Sequence, residues 1–270
     1  MKKLIQYIIS STTPKRSFRT CCAIYVRLAG YLMLTFATIS FVGCSSYVTP
    51  GGGADLASLN EESLTDTDIQ KILERKPASS FPAHLAVVRI QAPGYRCYRH
   101  ESYGSGRYSV ITTKDIETDE HFEKLRRLPM ISAVAPLNQI LLPTNLKSYK
   151  ELRMAAAHLH ADLLFVYTLN TIFRLKDHDI GPMGIITLGF LPNQEAQVTT
   201  TASAVLFDVR TGFTYGLAEA TDREKQFTSA WTSSDTIDDS RRKAETKAFG
   251  KLLDNFAVTW KGIVEQYATH

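Results

Sequence analysis

The first 43 residues contain no aspartate and no glutamate, while Lys2, Lys3, Lys15, Arg16, Arg19 and Arg27 give that stretch six positive charges. An apolar run long enough to span a bilayer is missing there too: Leu28 to Val42 holds 15 residues, where a spanning helix needs about 20. Extending the run backwards takes in Arg27, at a cost of about 2.5–3.5 kcal/mol at a bilayer centre. Cysteine is scarce, at Cys21, Cys22, Cys44 and Cys97 only. No Gly-x-Ser-x-Gly elbow, phosphate-binding Walker loop or dinucleotide fingerprint occurs beyond residue 43, so the sequence points to no hydrolase, nucleotidase or dehydrogenase through those signatures. Gly51-Gly52-Gly53 lacks the following Lys-Ser/Thr, and Gly104-Ser105-Gly106 lacks a third glycine and reads as a hairpin tip.

A basic region, a short apolar region and a small residue before a cut form a secretory pattern. Phe41-Val42-Gly43-Cys44 resembles a lipobox, at which bacterial processing attaches diacylglycerol to Cys and cleaves before it. The reading is therefore a lipoprotein signal peptide over 1–43 with lipid on Cys44; an uncleaved membrane anchor is the competing one, and length argues against it. Because 27 residues is a long basic leader, an alternative start at a non-Met codon for Val26 would leave a compact signal beginning Val26-Arg27-Leu28-Ala29. Ser45 is not the Asp that commonly retains lipoproteins in the inner membrane, so the expected address is the bacterial cell envelope, with the outer membrane facing the periplasm favoured over the inner membrane.

Cleavage leaves 227 of the 270 residues, enough for one substantial domain and a tether. The leader takes six of the 31 basic residues, so 25 basic residues face 27 acidic ones beyond it. The basic character of the whole chain thus belongs to the leader and gives no support to a nucleic-acid partner. With Cys21 and Cys22 removed and Cys44 acylated, Cys97 is the one remaining thiol, which rules out an intramolecular disulfide; burial is its expected state.

Residues 44–80 read as a lipidated flexible tether, with Pro50 and three consecutive glycines, carrying a short helix from Thr65 and Asp68 to about Arg75. Residues 81–270 read as a single α/β domain. Strands are expected at Ala83 to Gln91, Tyr108 to Thr113, Leu163 to Thr171, Ile185 to Leu191, Gln197 to Val209 and Phe213 to Ala220, with a β-rich run from Ile131 to Leu142 interrupted by Pro136. Leu163 to Thr171 is nearly all apolar, as in a strand buried on both faces. In the long strand, Val205, Phe207 and Val209 alternate with Val198, Ala202, Ala204 and Leu206, and Arg210-Thr211-Gly212 supplies the turn of a hairpin. Helices are expected at Asp119 to Arg127, from the capping box Ser148-Tyr-Lys-Glu151 to about His160, and from Asp238 to Tyr267, where Ala248, Leu252, Phe256, Trp260, Ile263 and Tyr267 form an apolar stripe. The fold class is α/β (α+β), with a mixed, largely antiparallel sheet flanked by helices.

Chemistry-bearing residues are sparse. His158 and His160 point about 200° apart on a helix and cannot share an ion while it continues, and Asp177-His178-Asp179 reads as a solvated loop. No catalytic set, metal site or cofactor is expected. The segment Tyr95 to Tyr108 is unusual in its Tyr and Arg content, types enriched at binding hot spots. Tyr95, Arg96, Tyr98, Arg99, Tyr103 and Arg107 are the candidate binding surface for an envelope protein or glycan, and the plainer alternative is a hairpin whose tyrosines cover the sheet.

At Ala155-Ala-Ala-His-Leu-His-Ala-Asp162-Leu-Leu-Phe-Val-Tyr and Leu206-Phe-Asp-Val-Arg-Thr-Gly212 the chain resembles envelope proteins of the curli secretion-channel lipoprotein and TolB amino-terminal-domain type. The resemblance implies an alanine-rich helix leading into an Ala-Asp strand start and a long strand closing on an Asp-x-x-Thr-Gly turn. It departs from the channel formers, which need membrane-spanning hairpins, at the polar Thr199-Thr200-Thr201. Tyr47-Val-Thr-Pro-Gly51 resembles the start of further bacterial lipoproteins and implies no activity. The expected function is a non-enzymatic, membrane-anchored role in envelope organisation, assembly or binding; the alternative is an envelope hydrolase or carbohydrate-binding protein with a dispersed site. A concave pocket holding two titratable groups within about 3–6 Å, one with a shifted pKa, is what would favour the enzyme.

Overall fold

The computed structural model describes residues 52–54, 66–97, 101–177, 194–228 and 233–268. In chain order the elements are helix α1 (Asp66–Leu73), strands β1 (Ala83–Gln91), β2 (Ser105–Gly106) and β3 (Ser109–Ile111), helix α2 (Asp119–Arg126), strands β4 (Ile131–Pro136) and β5 (Asn145–Leu146), helix α3 (Tyr149–His158), strands β6 (Leu163–Asp177), β7 (Gln194–Asp208) and β8 (Thr214–Thr228), and helix α4 (Ser233–Tyr267). The main sheet runs β3-β1-β6-β7-β8, with β4 on the same edge of β1 as β3. β1 is parallel to β4 and β6 and antiparallel to β3, while β6-β7 and β7-β8 are antiparallel. The mixed, largely antiparallel sheet flanked by helices is thus as expected.

The sheet's two faces carry separate cores. Alternation along β1 sends Leu85 and Val87 to one side, where they meet Phe165, Leu206, Phe256 and Trp260, and Ala86, Val88 and Ile90 to the other, where they meet Leu152 and Ala155 of α3. The long α4 covers the first side together with α2, through Phe122 and Leu125. Trp260, fully buried, donates its indole N–H to the Pro129 carbonyl at 2.7 Å. In β7, Ala202, Ala204 and Leu206 face α4 and Val205 faces α3, as the alternation requires, and Val209 just past the strand's end joins the α3-side core. Ala155 and Ala156 are fully buried, so the small side chains let α3 lie close to the strands.

Boundaries differ from expectation where a long-range partner decides them. The run from Ile131 splits after Pro136, which lacks an N–H to continue pairing, and Gln139–Leu141 forms a single 3₁₀ turn. α3 ends two residues early, in a Schellman closure: Ala161 N–H donates to Ala156 O at 3.0 Å and His160 N–H to Ala157 O at 2.9 Å, with His160 at φ 54°. β6 and β8 run well past Thr171 and Ala220. The second half of β8 is polar in sequence, but Asp222 pairs with Lys251 at 2.8 Å and Glu224 with Lys247, both on α4. The Ile185 to Leu191 strand lies outside the described residues. α1 forms as expected, though none of its residues is buried.

Two short motifs join the elements at one end. Asp162 N–H donates to His84 O at 2.9 Å, its carboxylate accepts from His84 N–H at 3.0 Å, and its carbonyl accepts from Val209 N–H at 3.0 Å. Asp208, fully buried, closes the β7-β8 turn by accepting from Arg210 and Thr211 N–H at 2.8 and 2.9 Å. Gly212 has φ 71°, the left-handed value expected of that turn glycine.

Candidate functional site

Arg89 continues the α4-facing register of Leu85 and Val87, so the strand carries a guanidinium into the interior, where it is 2% exposed. Opposite it, Asp238, Arg241 and Glu245 occupy the same stripe of α4 that continues as Ala248 and Leu252, at helical spacings of three and four. The loop after β3 adds Asp115 and Glu117, and β6 adds Tyr167 and Thr171.

These groups form one buried ionic cluster. Arg89 Nη1 lies 2.9 Å from Asp115 Oδ1 and 3.5 Å from Glu117 Oε1, and Arg89 Nη2 lies 3.6 Å from Glu245 Oε2. Arg241 reaches Asp238 at 3.0 Å, Glu245 at 2.5 Å and Asp115 at 3.4 Å. Tyr167 donates to Glu117 at 2.6 Å, and Thr171 donates to the second Glu245 oxygen at 2.8 Å while contacting Thr200 at 3.1 Å. Two guanidinium groups thus face four carboxylates, with the half-exposed Arg242 at 3.9 Å from Asp238.

Burial governs the electrostatics. It works against the charge on Arg89, but Glu117, Asp115 and Glu245 outweigh it and hold the guanidinium firmly protonated. It pushes the Glu245 carboxyl up, against the opposing pull of Arg89 and Arg241. The phenol of Tyr167 is pushed well above its ordinary value by burial and by Glu117; that of Tyr95, 3.4 Å from Arg89 Nη2, is pushed up by burial despite the guanidinium.

A cleft of about 210 Å³ leads toward this cluster from the edge of β1, lined by Arg89, Lys114, Glu117, Phe122, Asn138 and Tyr167 among others. It sits between the last β4 pairing, Val87 with Pro136, and the first β3 pairing, Arg89 with Ile111. Lys114, half-exposed, stacks its ammonium 4.8 Å from the Phe122 ring centroid. Each carboxylate of the cluster touches a guanidinium, and the arrangement clamps β1, the loop after β3 and α4 to one another. Among the described residues no group of three His, Cys, Asp or Glu side chains has metal-holding geometry.

Of the described residues singled out in the sequence, Tyr95 reaches this cluster, whose ion pairs are made without Arg96, Tyr103 or Arg107. Tyr95 is 3% exposed, so it belongs to the interior and not to a recognition surface, because its hydroxyl points at Arg89. Tyr103 is half-buried and donates to Leu142 O at 2.9 Å; the wholly buried Tyr108 donates to Ser148 O at 2.8 Å. Ser105 and Gly106 are not a free hairpin tip: they pair in parallel with Asn145 and Leu146. Arg96 and Arg107 are exposed and Cys97 is half-buried. Cys44, Tyr98, Arg99 and His178 lie outside the described residues. The cluster that sequence reasoning missed had one visible signal, the charged Asp238, Arg241 and Glu245 in register with the apolar stripe of α4.

No protein-family model matches the chain, and no curated protein matches it. The likeness to the curli-channel and TolB type therefore stays at two short motifs. Among solved structures the fold is similar to protein XCC0632 from Xanthomonas campestris, of the DUF330 family, at 12% identity and TM-score 0.36 over 71% of this chain and 93% of that one. It is also similar to a candidate lipoprotein from Caulobacter crescentus CB15, at 12% identity and TM-score 0.25 over 42% of this chain and 81% of that one, and to protein CT253 from Chlamydia trachomatis, at 11% and 0.24 over 69% and 98%. Likenesses this distant put no residue of this chain in correspondence with theirs. No helix among the described residues is long and apolar enough to cross a membrane.

Proposed function

We propose that the chain is a lipid-anchored envelope protein whose folded part has a non-enzymatic organising or binding role. The observation that carries the anchor is the acid-free basic leader followed by a 15-residue apolar run and Phe41-Val42-Gly43-Cys44. The non-enzymatic half is supported by the cleft. Glu117 and Tyr167 meet there at 2.6 Å, the kind of pair that favours acid-base chemistry when one member titrates near neutrality. Here burial moves the phenol away from that range, and Glu117 is already taken up by Arg89, so the pair serves packing better than proton transfer.

The test is Cys44→Ser in the full chain, followed by labelling with a palmitate analogue and fractionation. The expected result is a precursor that is neither acylated nor cleaved. Normal acylation and cleavage in that variant would end the reading. The outer membrane is the expected fraction for the wild type, because Ser45 replaces the retaining Asp.

A further inference from the structure

β8 ends the main sheet, so one of its edges pairs with β7 and the other has no neighbour within that sheet. Along an antiparallel strand the N–H and C=O of one residue point to the same side, and the side alternates from residue to residue. Side-chain contacts fix the alternation here. The Thr201 and Thr221 hydroxyls meet at 2.9 Å and Ser203 Oγ donates to Glu219 Oε2 at 2.9 Å, the close approach of pairs whose backbone groups point away from each other. In agreement, Asn255 Nδ2 of α4 donates to Glu219 O at 2.7 Å. Leu217, Glu219, Thr221, Arg223 and Lys225 therefore turn their backbone groups outward, while Ala218, Ala220, Asp222 and Glu224 turn theirs to β7.

Such a row is a template for a further strand. Two large apolar side chains flank it: Leu217, 68% exposed, in the strand, and Val258, 71% exposed, one turn along α4 from Asn255. Glu219, Thr221 and Arg223 are exposed on the sheet face opposite α4, since Asp222 and Glu224 alternate toward Lys251 and Lys247. Ser203 holds the Glu219 carboxylate on that face. Thr221 lies midway between Glu219 and Arg223, so the strand is complementary to itself when turned end for end. An antiparallel copy centred on Thr221 sets Glu219 opposite Arg223 twice, and sets Asp222 and Glu224 opposite Ala220 and Ala218. Centring on Glu219, Asp222 or Arg223 instead puts like charges face to face, and centring on Ala220 pairs no opposite charges.

We propose that β8 is a self-recognition edge: two copies of this chain pair antiparallel through it, about a two-fold axis at Thr221, and make one continuous sheet. The interface is isologous, so the contact between Glu219 and Arg223 occurs twice. About ten backbone hydrogen bonds join the outward groups of residues 217–225. These bonds supply affinity, while the charge pairs select the register. The proposal goes beyond the anchored, non-enzymatic role and does not depend on lipid at Cys44.

The full chain in detergent is followed by sedimentation over a concentration series, together with E219R, R223E and E219R/R223E. The expected result is a reversible dimer, weakened on the order of tenfold by either single reversal and restored by the double. Oxidation of T221C and of L217C, with peptide mapping of the linkage, tests the register. The two Thr221 positions lie about 5.5 Å apart across the axis, within disulfide reach, whereas the two Leu217 positions lie about 27 Å apart. T221C should therefore give a disulfide between the two copies of residue 221, and L217C none between the two copies of residue 217. A monomer at every concentration, with no linkage at 221, would overturn the proposal. So would a dimer indifferent to the charge reversals, or one that links 217 as readily as 221, since another surface would then hold it. Linkage of T221C in intact cells to a different protein alone would make the occupant a foreign strand and overturn self-pairing. Unchanged melting temperatures in the reversal variants exclude unfolding as the cause of weakening. Should E219R melt lower through loss of the Ser203 contact, R223E and the two cysteine variants still decide.

Discussion

Ser79 and Asp208 are 129 residues apart in sequence, yet Ser79 Oγ donates to Asp208 Oδ2 at 2.9 Å. The same oxygen accepts from Ala78 N–H at 2.7 Å and from Tyr215 OH at 3.2 Å, while Oδ1 holds the turn amides of Arg210 and Thr211. One carboxylate thus fastens the segment leading into β1 to the β7-β8 turn. An amide cannot accept at both ends, so Asp208→Asn should destabilise by about 2–3 kcal/mol, read by urea unfolding at pH 7. Burial pushes this carboxyl up, but the hydrogen bonds from Thr211, Ala78, Ser79 and Arg210 outweigh it and hold it below its ordinary 3.8. Its contribution is present above that value and is lost as pH falls through the lower folded value. Melting curves at pH 7 and pH 3 should therefore diverge for wild type more than for Asp208→Asn; equal slopes would contradict the assignment.

Asp115 and Glu245 each engage both Arg89 and Arg241, so the cluster depends on both guanidinium groups. Arg241→Met leaves Glu245 and Asp238 buried beside too little positive charge, and a cost of about 3–5 kcal/mol follows. Adding Glu245→Leu removes the stranded carboxylate, so the double variant should be less destabilised than the sum of the singles by about 1–3 kcal/mol in a denaturant cycle. Additive behaviour would mean that the two side chains do not interact. Glu245 also has the opposite pH sign to Asp208. Burial raises its folded pKa above 4.5, so stability falls as pH rises from that value through the folded one, and Glu245→Gln should abolish this decline.

The features readable in the sequence were local. The Ser148 and Glu151 capping box, the turn ending at Gly212 and the apolar stripe of α4 each depend on spacing alone, and each is present. What escaped depends on partners far along the chain. Arg89 in Ala83 to Gln91 looks like a break in an apolar strand until Asp115, Glu117 and Glu245 are placed around it. Gln91 is similar: its side-chain amide donates to Leu169 O at 3.0 Å and its oxygen accepts from Leu169 N–H at 3.2 Å, standing in for a strand partner. The polar half of β8 extends as strand because α4 supplies Lys247 and Lys251, 23 and 29 residues on from their partners Glu224 and Asp222.

Two left-handed positions should respond with opposite signs. Gly212, at φ 71°, has no room for a branched side chain, since a Cβ would lie 2.7 Å from Arg153 Nη1 and 3.2 Å from Tyr149 OH. Gly212→Val should cost about 1–3 kcal/mol. His160 holds φ 54° with a side chain, exposed, at the close of α3. His160→Gly should therefore stabilise by about 1 kcal/mol, seen as a higher melting temperature. A fall in that variant would mean that the imidazole makes a contact worth more than the backbone strain.

The stretch from Tyr95 to Tyr108 should separate into packing and surface residues when mutated. Tyr108 is fully buried, with its hydroxyl on Ser148 O and 3.3 Å from Glu151, whose carboxylate also accepts from Lys147 and Ser148 N–H and so starts α3. Tyr108→Phe should cost about 1 kcal/mol through the lost bond, and Tyr108→Ala about 3–5 kcal/mol through the added cavity. Arg96→Ala with Arg107→Ala, both at exposed positions, should stay within about 0.5 kcal/mol each. Crosslinking in intact cells, compared between the arginine pair and Tyr108→Phe, then distinguishes the two roles. Loss of a captured partner in the stable arginine variant would mark a recognition surface at Arg96 and Arg107. Unchanged capture there, with destabilisation confined to the tyrosine variants, would leave the segment as the cover of the sheet edge and remove it as a binding element.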